Sequence, residues 1–312
     1  MEHRPEQLRA RRAARARALR RRRFRAAILA VLGAGLLAAV AIAMGATGGP
    51  RRAGRAGPAT APAAPGQRQA VTASSDSGLR AELTAVRHLA GYGLPLFCGG
   101  RSKRMVALTF DDGPGPYTTL AIRKLREHRL RATFFLVGKE IRAHPGLAQL
   151  ERTVAAFGDH TMTHPFLPAL PSAAMVQEIA GAQALIEQVT GQPVALFRPP
   201  YEGVNSAIER EVKALGMLEV LWDVDSGDSL GADYAGIEHN VLAGLRPGSI
   251  ILMHENRGQT IRALPVIFAA LARDHLRAVT VPELVAADPP SPAQLRAGFR
   301  GCGVRAQAGN GG

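Results

Sequence analysis

The 312 residues contain two cysteines, a single tryptophan and no internal repeat. Two cysteines allow at most one intrachain disulfide, which sets aside a disulfide-dense scaffold, and the lack of a repeat sets aside solenoid and propeller arrays. Charge is missing from the 20 residues 26–45, and large apolar side chains are nearly missing from 46 to about 77. The first gap leaves a segment long enough, as a helix, to cross a bilayer core of about 30 Å. The second leaves a stretch of Ala, Gly, Pro, Arg and Thr that cannot bury enough surface to order itself.

The charge that is present is lopsided. The first 25 residues hold eleven Arg and two Glu, so +9 of the formal +14 sits in a short leader. An arginine run such as 20–23 could bind nucleic acid. Next to an uncharged span it reads instead as the cytoplasmic flank of a positive-inside anchor, so no nucleic-acid partner is expected. The expected organisation is an Arg-rich cytoplasmic leader (1–25), a transmembrane anchor (26–45), a linker (46–78), a lead-in segment (79–103), an extracytoplasmic domain (104–287) and a C-terminal tail (288–312). A cleaved signal peptide, giving a secreted protein, is the alternative, because Ala41, Ala43 and Gly45 offer small residues for cleavage. Outside the cytoplasm, Cys98 and Cys302, which bracket the domain, are expected to pair; two free thiols are the alternative.

Within the lead-in segment, Leu79 to Ala90 carries a helical apolar stripe at Leu79, Leu83, Val86 and Ala90. Strand-like and helix-like segments then alternate, which favours a parallel sheet or barrel. Strands are predicted at Met105–Phe110, Ala132–Val137, Ala155–Asp159, Val194–Phe197, Leu218–Val224, Ser249–His254 and Arg277–Val281, seven in all. Helices are predicted at Thr118–His128, Ser172–Val189, Ser206–Leu215, Tyr234–Leu245 and Ile261–Asp274.

Two motifs carry chemistry. In Thr109-Phe110-Asp111-Asp112-Gly113-Pro114 a strand empties into a turn that begins with two carboxylates. Side chains alternate in direction there, so one carboxylate can take a metal while its neighbour accepts a proton. His160-Thr161-Met162-Thr163-His164 places two imidazoles four residues apart. Two His and one carboxylate of the Asp pair make a donor set suited to Zn²⁺, with Co²⁺, Ni²⁺ or Mn²⁺ as alternatives. Together they point to metal-assisted hydrolysis.

These residues resemble the polysaccharide deacetylases of the NodB-homology type, carbohydrate esterase family 4. The resemblance runs from Arg104 to about Ala287 and rests on five ordered motifs. After the first two come Arg198-Pro199-Pro200-Tyr201, Asp225-Ser226-Gly227-Asp228 in part, and Leu252-Met253-His254. It implies an α/β fold, a distorted (β/α)₇ barrel, with each motif at the carboxyl end of a strand, where parallel α/β folds place their sites. It further implies Asp111 as general base, Asp112, His160 and His164 as metal ligands, and Arg198 as the cation that pairs with Asp111. The backbone N–H of Tyr201 would receive the oxyanion, and His254 would be the general acid. Asp228, or next Asp225, would tune His254 or brace Arg198; Pro200, Tyr201 and Leu252 would line the acetyl pocket. Ser229 stands where the family carries Trp after this Asp, and Glu202 where it commonly carries Gly. Trp222 is expected in the core rather than on the substrate groove.

The expected activity is removal of N-acetyl groups from amino sugars of a cell-wall or surface glycan, peptidoglycan or chitin-like, with release of acetate, by a monomer held at the membrane. An O-acetyl esterase of the xylan type and a non-catalytic glycan-binding envelope protein are the alternatives.

Overall fold

The computed structural model describes residues 65–303, with side chains from residue 77 on. The leader and the expected anchor at 26–45 lie outside the described residues. Among the described residues no helix is long and apolar enough to cross a membrane.

The described residues open with helix α1 (Pro65–Ala90), followed by β1 (Met105–Gly113), α2 (Thr118–Glu127), β2 (Ala132–Leu136), α3 (Gly138–Ala143), α4 (Leu147–Glu151) and β3 (Ala155–Asp159). Then come α5 (Ser172–Thr190), β4 (Leu196–Phe197), α6 (Ser206–Ala214), β5 (Leu218–Glu219), β6 (Val224–Asp225) and α7 (Tyr234–Gly244). The last elements are β7 (Ile250–His254), α8 (Gly258–Arg273), β8 (Arg277–Val279), α9 (Val281–Ala287) and α10 (Pro292–Ala297). All named strands pair in parallel, in the order β5-β4-β3-β2-β1-β7-β6, with β8 on β1. This parallel-strand half-barrel is built around β1, which pairs with β8 through Met105–Ala107, with β7 from Ala107 and with β2 from Thr109.

Alternation along β1 divides the core. Val106, Leu108 and Phe110 join the cluster that includes Phe134, Ile251, Met253 and the apolar stripes of α2, α5 and α8. Met105 and Ala107 join the other, with Phe135, Leu196, Ile250, Leu284 and Val285. Both faces of β1 are buried, as the apolar run predicts for a central parallel strand.

Four features differ from the expectations. The segment Leu218–Val224, read as one strand, is two, so eight strands are named rather than seven. Between them Leu96 pairs with the chain, its N–H donating to the Glu219 carbonyl and its own carbonyl accepting from Leu221 N–H, both at 2.8 Å. The carbonyls of Val220 and Leu221 accept from Arg198. Because β5 and β6 are the two ends of the sheet order, residues 220–223 carry the chain from one edge to the other. Secondly, α1 begins at Pro65, inside the expected linker; its Val86, Leu89 and Ala90 share a cluster with Leu284 and Val285 of α9. Thirdly, β8 ends at Val279 rather than Val281, since Thr280 caps α9 in a reciprocal pair with Glu283. Fourthly, the expected tail carries a helix, α10, capped by Ser291; the expected disulfide is present, Cys302 bonded to Cys98 with the Cα atoms 5.9 Å apart.

Candidate active site

Alternation aims the first carboxylate. Asp111 lies on the same face of β1 as Met105, Ala107 and Thr109, and His254 on the same face of β7 as Ile250 and Leu252. The two are register partners on adjacent strands, so a proton acceptor and an imidazole end side by side.

Arg198 is fully buried and holds Asp111 from beneath. Its Nη1 donates to Asp111 Oδ1 at 2.7 Å and to Thr109 Oγ1 at 2.9 Å. Its Nε and Nη2 donate to the carbonyls of Val220 (3.0 Å) and Leu221 (3.2 Å). The guanidinium lies 4.1 Å from the Phe135 ring centroid and 5.5 Å from that of Trp222. Burial lowers its pKa against the opposing pull of Asp111, but a guanidinium stays charged across the physiological range. One oxygen of Asp111 is thereby fixed, while Oδ2 lies 3.7 Å from His160 Nε2.

Asp112, with φ +68°, turns the other way. Its Oδ1 lies 3.1 Å from His164 Nε2 and 3.7 Å from His160 Nε2, and one donor atom from each of the three residues lies within 4.8 Å of the others. Each imidazole is oriented through its other nitrogen. His160 Nδ1 donates to the Arg198 carbonyl at 2.6 Å, and His164 Nδ1 lies 3.2 Å from the Tyr201 hydroxyl. That turns both Nε2 atoms toward the carboxylate, the orientation second-sphere partners impose on metal-binding histidines. Two imidazoles and a carboxylate converging from a β1 turn and a β3 loop fit a divalent ion such as Zn²⁺. Burial lowers the His160 pKa, which keeps it neutral for ligation. Burial pushes the Asp112 pKa up, but the His164 hydrogen bond and the nearby histidines outweigh it and hold the carboxyl well below its usual range.

His254 faces a different neighbour. Its Nδ1 and backbone N–H both meet Asp228, at 2.7 Å to Oδ1 and 2.7 Å to Oδ2, and Thr260 Oγ1 donates to Oδ2 at 2.6 Å. Burial alone would lower the His254 pKa; the Asp228 hydrogen bond and charge outweigh it and raise it to about 9. Asp228 serves His254, not Arg198. Asp225, the second choice, is exposed and caps the turn through Gly227 N–H at 2.8 Å.

Strain gathers here. Of seven non-glycine residues with positive φ among the described residues, five are Asp112, Thr161, His164, Tyr201 and Glu202. Such backbone is held only where surrounding contacts over-determine it, as functional sites do. Glu202 adopts φ +55°, a left-handed conformation that glycine would take more readily.

Sequence reasoning missed several participants. The Tyr201 hydroxyl meets a candidate ligand, a contact beyond the oxyanion and pocket roles expected of this residue. Thr109 shares the Asp111 face, and period-two parity could have found it. Thr260 and Asn256, whose Nδ2 lies 3.3 Å from Asp112 Oδ2, carry no sequence signal. Behind the motif, a side chain at Gly113 would collide with Glu255. Glu255 accepts from Thr118 Oγ1, which takes the Gly115 N–H at 2.8 Å, and lies against the fully buried Glu151, leaving Glu255 Oε1 and both Glu151 oxygens without another partner. Two carboxyls meet there without a cation, so at least one carries a proton; burial raises Glu255 to about 7 and Glu151 well above the usual range.

Two other features lie apart. A cavity of about 460 Å³ beside His88, Tyr92, Arg101 and Asp288 includes none of these residues. Cys98, Asp223 and Cys302 converge, but the sulfurs are bonded to each other and are not free to ligate.

Residues 99–220 match the polysaccharide deacetylase family. A peptidoglycan-N-acetylglucosamine deacetylase of Bacillus cereus is 34% identical over 183 residues, covering 55% of this chain and 67% of the relative. A chitooligosaccharide deacetylase of Rhizobium leguminosarum bv. trifolii is 35% identical over 197 residues, 57% of this chain and 90% of the relative. The crystal structure of a peptidoglycan N-acetylglucosamine deacetylase in complex with 4-naphthalen-1-yl-N-oxidanyl-benzamide superposes with a TM-score of 0.59 at 30% identity, over 61% of this chain and 92% of that one. The chain belongs to the polysaccharide deacetylases with NodB homology, carbohydrate esterase family 4. It is thus a carbohydrate deacetylase of the hydrolase class, acting on glycan.

Proposed function

We propose that this protein is a metal-dependent deacetylase that removes N-acetyl groups from amino sugars of a cell-wall glycan and releases acetate. The observation that carries this is the pairing of two differently held proton groups beside one donor set. Asp111 is held by Arg198, His254 is held by Asp228, and they stand in register next to Asp112, His160 and His164. The relatives named above act on peptidoglycan or chitooligosaccharide, and both are N-acetylated glycans.

A divalent ion, Zn²⁺ by the donor set, would be held by Asp112, His160 and His164 and would supply Lewis acidity to the acetyl carbonyl and acidity to a water. Asp111 accepts the proton of that water as its oxygen adds to the carbonyl carbon, and Arg198 keeps the carboxylate in place. The Tyr201 backbone N–H donates to the oxygen that gains charge. His254, protonated through the pull of Asp228, gives its Nε2 proton to the amide nitrogen. The C–N bond breaks, and the products are acetate and an amino sugar. Leu252, on the His254 face of β7, walls the acetyl methyl beside Pro200.

The domain is proposed to be carried outside the membrane by residues 26–45, with the arginine leader in the cytoplasm. The Cys98–Cys302 bond suits an oxidising compartment. The test is acetate release by the full-length chain from chitooligosaccharide, peptidoglycan and acetylated xylan, with and without Zn²⁺, beside Asp111→Asn. Metal-requiring release from an N-acetylated glycan, reduced at least about 10²-fold in the variant, is expected for loss of a general base. Release from xylan alone would make it an O-acetyl esterase; one equivalent of bound metal with no release would leave a glycan-binding protein.

A further inference from the structure

Phe166 follows the second histidine by two residues, yet its ring is not in the core. It is 51% exposed, while Leu167 beside it is 1% exposed and anchors the turn. The ring is seated on a particular surface. A Cβ at Gly203 would lie 2.7 Å from Phe166 Cε2, 2.9 Å from Cδ2 and 3.1 Å from Pro168 Cδ. Gly203 has φ −82°, a conformation any residue adopts, so its backbone does not require glycine. The missing side chain is what lets the ring lie on the loop.

That loop carries Tyr201. The Tyr201 ring is 43% exposed and stands 4.7 Å from the His164 ring, which stands 4.8 Å from His160. Val204, 36% exposed, extends the same stretch. Phe166, two residues after His164 and seated on Gly203 two residues after Tyr201, thus places a second half-exposed ring on the loops that carry the donor set.

We propose that Phe166, seated on Gly203 beside Tyr201, is a binding subsite for a pyranose ring flanking the sugar that loses its acetyl group. A pyranose presents an apolar C–H face with hydroxyls around its rim. A half-exposed aromatic ring offers that face dispersion contact without leaving a polar group unpaired. The occupant is a glycan residue because Phe166 and Tyr201 stand on the two loops that carry the candidate catalytic centre, His160–His164 and Arg198–Tyr201, and the inference rests on the deacetylase reading. The enzyme would accordingly prefer oligomers to single sugars.

The experiment uses the full-length chain in two arms. In the first, binding of chitopentaose to Asp111→Asn is compared with binding to Asp111→Asn/Phe166→Ala by calorimetry. In the second, kcat/KM for chitopentaose relative to N-acetylglucosamine is measured for the active chain, Phe166→Ala and Phe166→Trp. Burying part of one aromatic side chain is worth roughly a decade in affinity, so Kd is expected to rise about tenfold and the oligomer preference to fall about tenfold. Phe166→Trp should restore both. An unchanged Kd, no binding to Asp111→Asn, or an equal loss on pentasaccharide and monosaccharide would overturn the subsite; the last would make Phe166 a support for the Tyr201 loop. Binding that depends on Phe166 in a chain that releases no acetate would overturn the deacetylase reading and leave the subsite standing.

Discussion

At the scale of single residues, the proton donor is decided by one carboxylate. His254 is nearly buried, which by itself favours the neutral ring, but Asp228 meets both its Nδ1 and its backbone N–H. The raised His254 pKa contributes stability that is full below about 6.5 and lost as pH rises through about 9. The lowered Asp228 pKa contributes stability present above 3.8 and lost as pH falls. Catalysis follows the same sign: with His254 as the acid, kcat falls on the alkaline side near pH 9. Asp228→Asn removes the charge, so that limb should move down by about two pH units, toward the ordinary histidine value of about 6.5. An acetate-release profile from pH 5 to 10 would show it, and an alkaline limb that stays in place would mean another group donates the proton. Arg198 was legible as a motif residue, but its complete burial and its links to Val220 and Leu221 were not, because those partners lie in the connection between β5 and β6, 22 and 23 residues on.

Among the elements, the turn after β1 rests on a buried acid pair. Gly113 leaves room for Glu255, Thr118 ties Glu255 to Gly115, and Glu151 of α4 lies behind. Both carboxyls have pKa values raised from 4.5, so the stability they contribute is full below that value and declines as pH rises through about 7 and beyond. Asp159 and Glu219, also raised by burial, add a decline of the same sign. Glu151→Gln can donate an amide N–H to Glu255 without titrating. The fall in Tm between pH 5 and 8 should shrink in this variant by on the order of 5 °C; an identical fall in both chains would show that the pair holds no proton. Neither Glu is recognisable in sequence, since Glu151 ends a five-residue helix and Glu255 sits in the turn after His254. The break between β5 and β6 escaped for a similar reason: a run from Leu218 to Val224 that is apolar but for Glu219 and Asp223 cannot show that Leu96 and Arg198 claim the backbone in its middle.

For the whole molecule, the Cys98–Cys302 bond joins residues 204 apart in sequence and ties the lead-in to the last helix. A bond spanning so long a loop restricts the unfolded chain strongly, and losing a native disulfide typically costs about 2–5 kcal/mol. Cys98→Ser/Cys302→Ser should therefore unfold at lower denaturant concentration by that amount, measured against the oxidised parent. A difference under about 1 kcal/mol would show that α1, α9 and α10 hold the ends together without it.

The sequence by itself determined the alternation of strands and helices, the place of the carboxylates and histidines at strand ends, and the family. These are local: an apolar run of set period, a Gly-Pro turn and a short motif are each written within a few neighbouring residues. Only the tertiary structure decided that Arg198 grips Asp111 from beneath, that Asp228 serves His254, that the Tyr201 hydroxyl meets His164 and that Phe166 lies on Gly203. Each of those contacts joins loops that follow different strands, and their distances are set by the curl of the sheet. No period in the chain records that curl.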